Sequence, residues 1–170
     1  MRRIFIIILF GVIAFVVIKV STSGWKFSKK SFSGHGKNPE LVEILKSHVY
    51  KLAHVIGDRS VYKPDKLNEA ADYITEQFSS YGYDVEFQTY TLMGQTTRNI
   101  IACKKGKPDE VVIVGAHYDT CFNPGANDNA SAVAGLLELA RLMSDKETDC
   151  AIKFIAFVNE EPPFFKTENM

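Results

Sequence analysis

The sequence contains little cysteine, no excess of charge of either sign and no internal repeat. Three cysteines in 170 residues, at positions 103, 121 and 150, are too few and too scattered for a disulfide scaffold or a cysteine-rich zinc module. Basic and acidic residues number 20 each, so the chain lacks the basic excess that a general nucleic-acid binder needs. The G-x-S-x-G motif of serine hydrolases is also absent. What is present, with 46% hydrophobic residues, is a length and composition that suit one globular domain.

The neutral total conceals an uneven distribution of charge along the chain. Residues 1–38 contain seven basic residues and no acidic one, which leaves 13 basic and 20 acidic residues in 39–170. An acidic body repels polyanions and attracts cations, including metal ions.

The first 20 residues have the layout of a membrane-targeting segment. Two arginines precede a run without polar side chains from Ile4 to Ile18, which Lys19 and Val20 extend nearly to the length of a membrane span. Because no A-x-A cleavage motif follows, residues 1–20 are predicted to be a signal-anchor or transmembrane helix that contacts the membrane through residues 4–20. A cleaved secretion signal is the alternative. The arginines favour a cytoplasmic N-terminus and an exported body, joined by a basic Ser/Gly/Lys linker at residues 21–38.

Three segments of the body have the pattern of helices. Apolar residues from Pro39 to Ile56 form one stripe that ends at Gly57, and His48 beside this stripe is interpreted as a helix-packing residue. A second helix is predicted from about Lys66 to Tyr81, with Asp65 as its N-cap and Gly82 as its stop. The third, Ala130–Met143, is apolar on nearly every face and is predicted to be covered.

Four further segments have the pattern of strands. Asp84–Leu92 and Thr97–Lys104 flank a Met-Gly-Gln turn and predict an antiparallel pair. Val111–Ala116 and Ala151–Val158 are continuous apolar runs, typical of strands buried on both faces of a sheet. Since a helix separates these two, they predict a strand–helix–strand crossover. The expected fold class is α/β, a three-layer sandwich with a mixed sheet.

Ionisable and polar side chains follow the two apolar strands. His117, Tyr118 and Asp119 come directly after one of them, and Glu160 and Glu161 follow the other closely. Asp128 lies in the segment Gly125–Asn129, just before the crossover helix. Taken singly, each has a structural interpretation: a packed histidine, a helix cap, a solvated turn. Because ligands bind beyond the carboxyl ends of strands in such folds, their joint placement predicts a divalent metal site with imidazole and carboxylate ligands.

Three ordered motifs carry a resemblance to a known family. GAHYDT (115–120), PGANDNASAVAGLLELARLM (124–143) and FVNEEPPFF (157–165) resemble the co-catalytic zinc aminopeptidases, whose relatives include the glutaminyl cyclases. The resemblance runs from about residue 41 to the last residue and implies a zinc exopeptidase-like fold.

The resemblance also implies a role for each site residue. His117 and Glu161 are expected to bind one zinc ion each, and Asp128 to bridge the two ions of a complete site. Asp119 is expected to orient the imidazole of His117. Glu160 is expected to be the general base, which takes a proton from the attacking water and returns it to the leaving amine. The family pattern further implies a cis peptide bond between Asp128 and Asn129.

The family pattern requires one more acidic ligand and a second histidine after the paired glutamates, where only Pro162–Met170 follows. Residues 39–170 are therefore expected to be an incomplete zinc peptidase domain, with its carboxy-terminal part missing, one zinc or none, and little turnover. The expected activity of the family is removal of N-terminal residues from exported peptides. A glutaminyl cyclase-like enzyme and a non-catalytic, membrane-anchored binding domain remain as alternatives, and the oligomeric state is not indicated.

Overall fold

The structure, a computed structural model, describes residues 38–168. The predicted signal-anchor and all but the last residue of the predicted linker lie outside the described residues. Among residues 38–168, no helix combines the length and the apolar character that crossing a membrane requires.

Three α-helices form where the apolar patterns predict them. Helix α1 spans Pro39–Val49, and its first turn is capped by Asn38, whose Oδ1 accepts a hydrogen bond from the Leu41 amide at 3.2 Å. The chain continues from α1 as a π-helical segment, Tyr50–Ile56, which ends at Gly57 with a φ of 85°. Helix α2 spans Pro64–Ser80 and α3 spans Ser131–Met143.

Four strands form one mixed sheet, as predicted. They are β1 (Val85–Leu92), β2 (Gln95–Lys104), β3 (Lys107–His117) and β4 (Cys150–Phe157), in the spatial order β1-β2-β4-β3. The pairs β1–β2 and β2–β4 are antiparallel, whereas β3 and β4 are parallel and are joined through α3. This parallel pair makes the carboxyl ends of β3 and β4 meet at one edge of the sheet.

The described helices pack on one face of the sheet. Ile100, Phe154 and Ala156 point to that face and are fully buried. Tyr83 joins the two layers, because its hydroxyl donates to the Ala140 carbonyl of α3 at 2.8 Å while its ring contacts Phe154. Within residues 38–168, the opposite face carries no helix. The second helical layer of a three-layer sandwich is therefore not among the described residues.

Two burial predictions were wrong for the described part of the chain. Strand β3 was predicted to be buried on both faces, yet Val111, Val112 and Ile113 are 51%, 46% and 61% exposed. The reason is that β3 lies at the edge of the described sheet, where neither a further strand nor a second helical layer covers it. Helix α3 is likewise not covered all round, because Leu139 and Leu142 remain 40% and 46% exposed.

The start of α2 was also predicted two residues too late. The N-cap is Lys63, which makes no side-chain capping hydrogen bond, and Asp65 lies inside the first turn instead of capping it. Pro64 occupies the first turn, where its missing N–H costs no hydrogen bond and its fixed φ suits a helix. Asp65 still carries a negative charge near the helix N-terminus, where the helix dipole favours it.

Candidate metal centre

The crossover from β3 to β4 places the two polar strand ends side by side. His117 is the last residue of β3 and pairs in register with Phe157, the last residue of β4. Just beyond them, the Tyr118 amide donates to the Phe157 carbonyl at 2.9 Å. This pairing brings Asp119 next to the residues that follow β4, as the strand-end argument predicts.

Side chains from three segments meet at this edge of the sheet. One donor atom each from His117, Glu160 and Glu161 lies within 4.8 Å of the others. The His117 Nε2 atom is 3.0 Å from Asp128 Oδ1 and 3.7 Å from Glu160 Oε2. The structure therefore brings together three of the predicted residues, His117, Glu160 and Glu161, and places the fourth, Asp128, in contact with His117.

Asp119 connects the two strand ends from beneath the cluster. Its side chain is 1% exposed, and its Oδ1 lies 3.5 Å from His117 Nδ1. The same carboxylate accepts hydrogen bonds from the backbone amides of Glu160 at 3.4 Å and Glu161 at 3.0 Å. One buried group thus faces the imidazole and holds the backbone of both glutamates, which is the arrangement that orients metal ligands.

Asp128 reaches the cluster from an irregular turn before α3. The turn is a short π-helical segment, Ala126–Ala130, and it contains a cis peptide bond between Asp128 and Asn129, which confirms that prediction. Gly125 precedes it with a φ of 55°, a conformation that L-residues rarely adopt. The Asp128 side chain is 74% exposed, so it faces solvent on the side away from His117.

The carboxylates change the acidity of the groups at the centre. Burial acts to lower the pKa of His117, but the hydrogen bond and negative charge of Asp119, together with Glu160 and Asp128, outweigh it and raise that pKa to about 9. Burial raises the pKa of Glu161, and the negative charges of Asp128, Asp119 and Glu160 act in the same direction against the opposing effect of His117. The cluster therefore has an excess of negative charge that favours a bound cation.

The donor set fits zinc. Two ligand atoms at about 2.0–2.1 Å from one zinc ion, at a tetrahedral angle, lie about 3.4 Å apart. His117 Nε2 and Asp128 Oδ1, two of the expected ligand atoms, are 3.0 Å apart, which is close to this value. The other ring nitrogen, Nδ1, is buried and faces Asp119 Oδ1 at 3.5 Å, at the long limit of a hydrogen bond. An imidazole held from behind, with Nε2 facing carboxylates, suits a zinc ligand.

A cleft opens beside the cluster on the sheet face that carries no described helix. It has a volume of about 520 Å³ and is lined by His117, Glu160 and residues of all four strands, among them Gln88, Tyr90, Asn99 and Phe157. Asn99 also stabilises the end of β4, since its Oδ1 accepts from the Val158 amide at 2.9 Å. The cleft places space for a ligand directly against the donor atoms.

Sequence reasoning assigned no role to Arg59, Thr120 or Asn99, which support the centre. Asn99 could have been noticed as an amide within a strand, a position that usually favours β-branched or aromatic side chains. Arg59 stands in the polar stretch Gly57–Ser60 between two helices, where nothing in the pattern separates a buried arginine from a solvated one. The partners of Arg59 are mostly backbone carbonyls, which leave no trace in the sequence.

Comparisons of sequence place the site in a known family. Residues 99–165 match the model of peptidase family M28. The chain is 39% identical over 137 residues to the uncharacterized protein YfbL of Escherichia coli, covering 75% of this chain and 42% of that protein. It is 50% identical over 72 residues to aminopeptidase YwaD of Bacillus subtilis, covering 39% of this chain and 16% of that protein. The chain thus spans less than half the length of both relatives.

Comparisons of structure agree on the fold. The zinc aminopeptidase BSAP from Bacillus subtilis superposes with a TM-score of 0.63 at 18% identity, over 68% of this chain and 60% of that one. The glutaminyl cyclase of Tannerella forsythia superposes with a TM-score of 0.61 at 23% identity, over 74% of this chain and 50% of that one. These likenesses show a zinc exopeptidase-like α/β fold. The family match covers the motifs around His117, Asp128 and Glu161, so residues 99–165 resemble the corresponding part of a peptidase family M28 domain.

Proposed function

We propose that the protein is a zinc-dependent aminopeptidase that hydrolyses N-terminal peptide bonds. The observation that carries this proposal is the convergence of one imidazole and three carboxylates, from His117, Asp128, Glu160 and Glu161, on the carboxyl edge of β3 and β4. The match of residues 99–165 to a peptidase family supports hydrolysis, and the excess of carboxylates supports a divalent cation. Because the chain spans about half the length of the structures it matches, this activity is proposed for the whole protein.

Each residue of the centre has a proposed part in this reaction. His117, Asp128 and Glu161 hold zinc, which when bound polarises the scissile carbonyl and favours ionisation of the attacking water. Glu160 is the general base, and its 37% exposed carboxylate can be reached by water and by a peptide in the cleft. It accepts a proton from water and passes it to the departing amino group. Asp119 holds the His117 ring and the Glu160–Glu161 backbone in fixed positions relative to each other.

A glutaminyl cyclase is the second candidate, because several of the structural neighbours have that activity. The apolar residues that follow the paired glutamates favour the peptidase, as the sequence motif FVNEEPPFF indicates. Assays on the whole protein separate the two candidates. Aminoacyl-anilide hydrolysis that is lost with a chelator and restored by zinc supports the peptidase, whereas ammonia release from an N-terminal glutaminyl peptide supports the cyclase. Zinc binding without either reaction supports a non-catalytic binding domain.

The 170-residue chain permits a simpler test of the same proposal. We expect elemental analysis of the purified chain, after dialysis against zinc, to give one zinc per chain and not two, since the described residues offer one imidazole to the cluster. Two tightly held ions and rapid anilide hydrolysis by this chain would contradict that expectation. The absence of any zinc binding would remove the basis for the proposed activity.

We also propose that the domain is exported and tethered to the membrane by residues 1–20. The support is the sequence alone: two arginines followed by a long apolar run and no cleavage motif. Expression of the full chain, followed by membrane fractionation and mass determination, tests this. An intact N-terminus in the membrane fraction supports the anchor, whereas a soluble, shortened chain supports cleaved secretion.

A further inference from the structure

Arg59 is the most deeply buried cation among the described residues. Its relative exposure is 0%, and it lies in the loop between the π-helical segment and α2. Burial lowers the pKa of its guanidinium to about 10, against the opposing charges of Asp119 and Asp58, so that the group remains a cation at neutral pH. A buried cation with this many hydrogen-bond donors is costly unless every donor is used.

The guanidinium is satisfied almost entirely by backbone oxygens. All five of its side-chain hydrogen bonds end on carbonyl groups, and Nη1 divides its two protons among three of them. Nε donates to Tyr118 at 2.8 Å, Nη1 to Leu52 at 2.9 Å, Gly57 at 2.8 Å and Pro124 at 2.7 Å, and Nη2 to Gly125 at 3.3 Å.

Three of these carbonyls belong to the segments that carry the metal donors. Tyr118 stands between His117 and Asp119 at the end of β3, and Pro124 and Gly125 lead into the turn of Asp128. A single side chain therefore spans the connection between a strand end and the turn beyond it.

Backbone contacts strengthen the same connection. The Arg59 amide donates to Thr120 Oγ1 at 2.8 Å, and the Thr120 amide donates to the Arg59 carbonyl at 3.4 Å. The packing is close around Gly125 as well. A Cβ atom at this position would lie 2.3 Å from Thr120 Cγ2 and 2.9 Å from Arg59 Nη2. The start of the turn that carries Asp128 thus packs directly against Arg59.

Only arginine suits this arrangement. Its planar fork holds five N–H donors in fixed directions, which allows one group to reach carbonyls on opposite sides. A lysine at the same position offers three donors at a single point and cannot span Tyr118 and Pro124 together. The arrangement therefore depends on the shape of the guanidinium in addition to its charge.

We propose that Arg59 is a positioning residue for the metal centre, which sets the distance between the His117 strand end and the Asp128 turn. This inference rests on the proposed zinc binding. Arg59 contacts no metal donor atom, yet it contributes to the zinc affinity of the site. Ligands that are held at the right spacing before binding lose less entropy when the ion binds.

The test compares zinc affinity in the full chain and in the variants Arg59→Lys and Arg59→Met. Loss of a group that orients metal ligands typically weakens binding by about 10- to 100-fold. We expect a loss in this range for both variants, and a changed visible absorption spectrum when cobalt replaces zinc. The lysine variant keeps the positive charge, so a loss there identifies the hydrogen-bond geometry as the cause.

The matched control is Arg141→Lys. Arg141 also donates to a buried acceptor, binding Glu138 through Nε and Nη2 at 2.9–3.1 Å, but it lies on the helical face away from the metal donors. Arg141 lies in the last turn of its helix, whereas the Asp128 turn precedes the first turn of that helix. This variant is therefore expected to unfold at a lower urea concentration while its zinc affinity and cobalt spectrum stay unchanged. If Arg59→Lys binds zinc within twofold of the parent chain, or if Arg141→Lys weakens zinc binding equally, the inference is wrong.

Hydrogen exchange in the unmodified chain keeps the test valid if the Arg59 variants fail to fold. Zinc should slow amide exchange at Arg59 and Ser60, which hold no metal donor, along with exchange at 117–120. Slowing at 117–120 without any change at Arg59 and Ser60 would overturn the inference. If the parent chain binds no zinc in any experiment, the failure lies in the proposed function and is recognised as such.

Discussion

The protein buries two histidines beside carboxylates, and the two respond in opposite ways. His48 lies in the helical layer, where its Nδ1 is 2.6 Å from the Tyr73 hydroxyl and its Nε2 is 3.6 Å from Glu138 Oε1. Burial lowers the pKa of His48, and the opposing effect of Glu138 does not reverse this. At the sheet edge, the His117 side chain is only 10% exposed, yet its pKa is raised to about 9.

The difference lies in the neighbours of each carboxylate. Glu138, the acid that faces His48, is bound by Arg141 through two nitrogens, and the positive charge of Arg141 further lowers the pKa of His48. Tyr73 from α2 completes that environment with a neutral hydroxyl. The acids around His117 outnumber the cations close to them. A carboxylate that is already paired supports packing, whereas a group of unpaired carboxylates attracts a further cation.

The largest predicted effect separates the two histidines by metal binding. His117→Asn removes a proposed zinc ligand. Loss of a residue that merely orients a ligand weakens metal binding by up to about 100-fold, so we expect this variant to lose more than about 100-fold in zinc affinity. His48→Asn, the matched variant, should leave zinc affinity unchanged. Isothermal titration of both chains with zinc measures this. Equal losses in the two variants would show that the distinction between the two regions is wrong.

Asp119→Asn should produce the next largest effect. The amide keeps the size of the carboxylate, but it removes the charge behind His117 and replaces one of the two oxygens that accept from the Glu160 and Glu161 amides by an NH2 donor. We expect zinc affinity to fall by about 10- to 100-fold. Glu138→Gln is the control in the helical layer, since it removes a buried charge of the same sign there. A control that weakened zinc binding as strongly would contradict a local role for Asp119.

The pH dependence of zinc binding provides a third test. In the metal-free chain His117 holds a proton below a pKa of about 9, and zinc must displace this proton. Affinity is therefore expected to rise about tenfold for each pH unit between pH 6.5 and 8. His48→Asn should show the same slope. If zinc affinity in the parent chain did not change with pH, zinc binding would not displace a proton from His117.

The last prediction concerns the stability of the helical layer in acid, where the expected effect is on folding and not on zinc binding. A lowered pKa means that His48 is neutral in the folded chain, so its contribution is present above the unfolded pKa near 6.5 and is lost as the pH falls through the folded value. In the metal-free chain, the contribution of His117 to folding stability depends on pH in the opposite direction. It is fully present below the unfolded pKa of about 6.5, and it is lost as the pH rises through the folded pKa of about 9.

Urea unfolding at pH 5.5 and pH 7.5 measures the His48 contribution. His48→Gln should cost about 1–3 kcal/mol at pH 7.5, since buried partners lose a hydrogen bond, and should reduce the additional loss that the parent chain shows at pH 5.5. Lys46→Ala, which removes an exposed pair with Glu43 on the same helix, should change stability by less than about 0.5 kcal/mol at either pH. An acid loss in His48→Gln as large as in the parent would assign the acid sensitivity to another group.

The sequence was sufficient to predict the order of helices and strands and the edge of the sheet at which the candidate ligands meet. The apolar runs that end at His117 and before Glu160 have strand character, and a parallel crossover requires their ends to meet. Two features could not be predicted in this way. The exposure of Ile113 depends on which strands and helices flank β3, which its own pattern does not contain. The role of Arg59 depends on carbonyl groups, which every residue possesses.

Asp119 has a consequence for the order in which the protein folds. Its carboxylate binds the amides of Glu160 and Glu161 across a separation of 41 and 42 residues along the chain. Closing such a loop costs entropy before any contact offsets it, so contacts between β3 and β4 are expected to form late. The metal centre is therefore expected to form together with the β3–β4 pair, and not before it. The rate at which metal binding returns during refolding would then report the rate at which the β3–β4 pair forms.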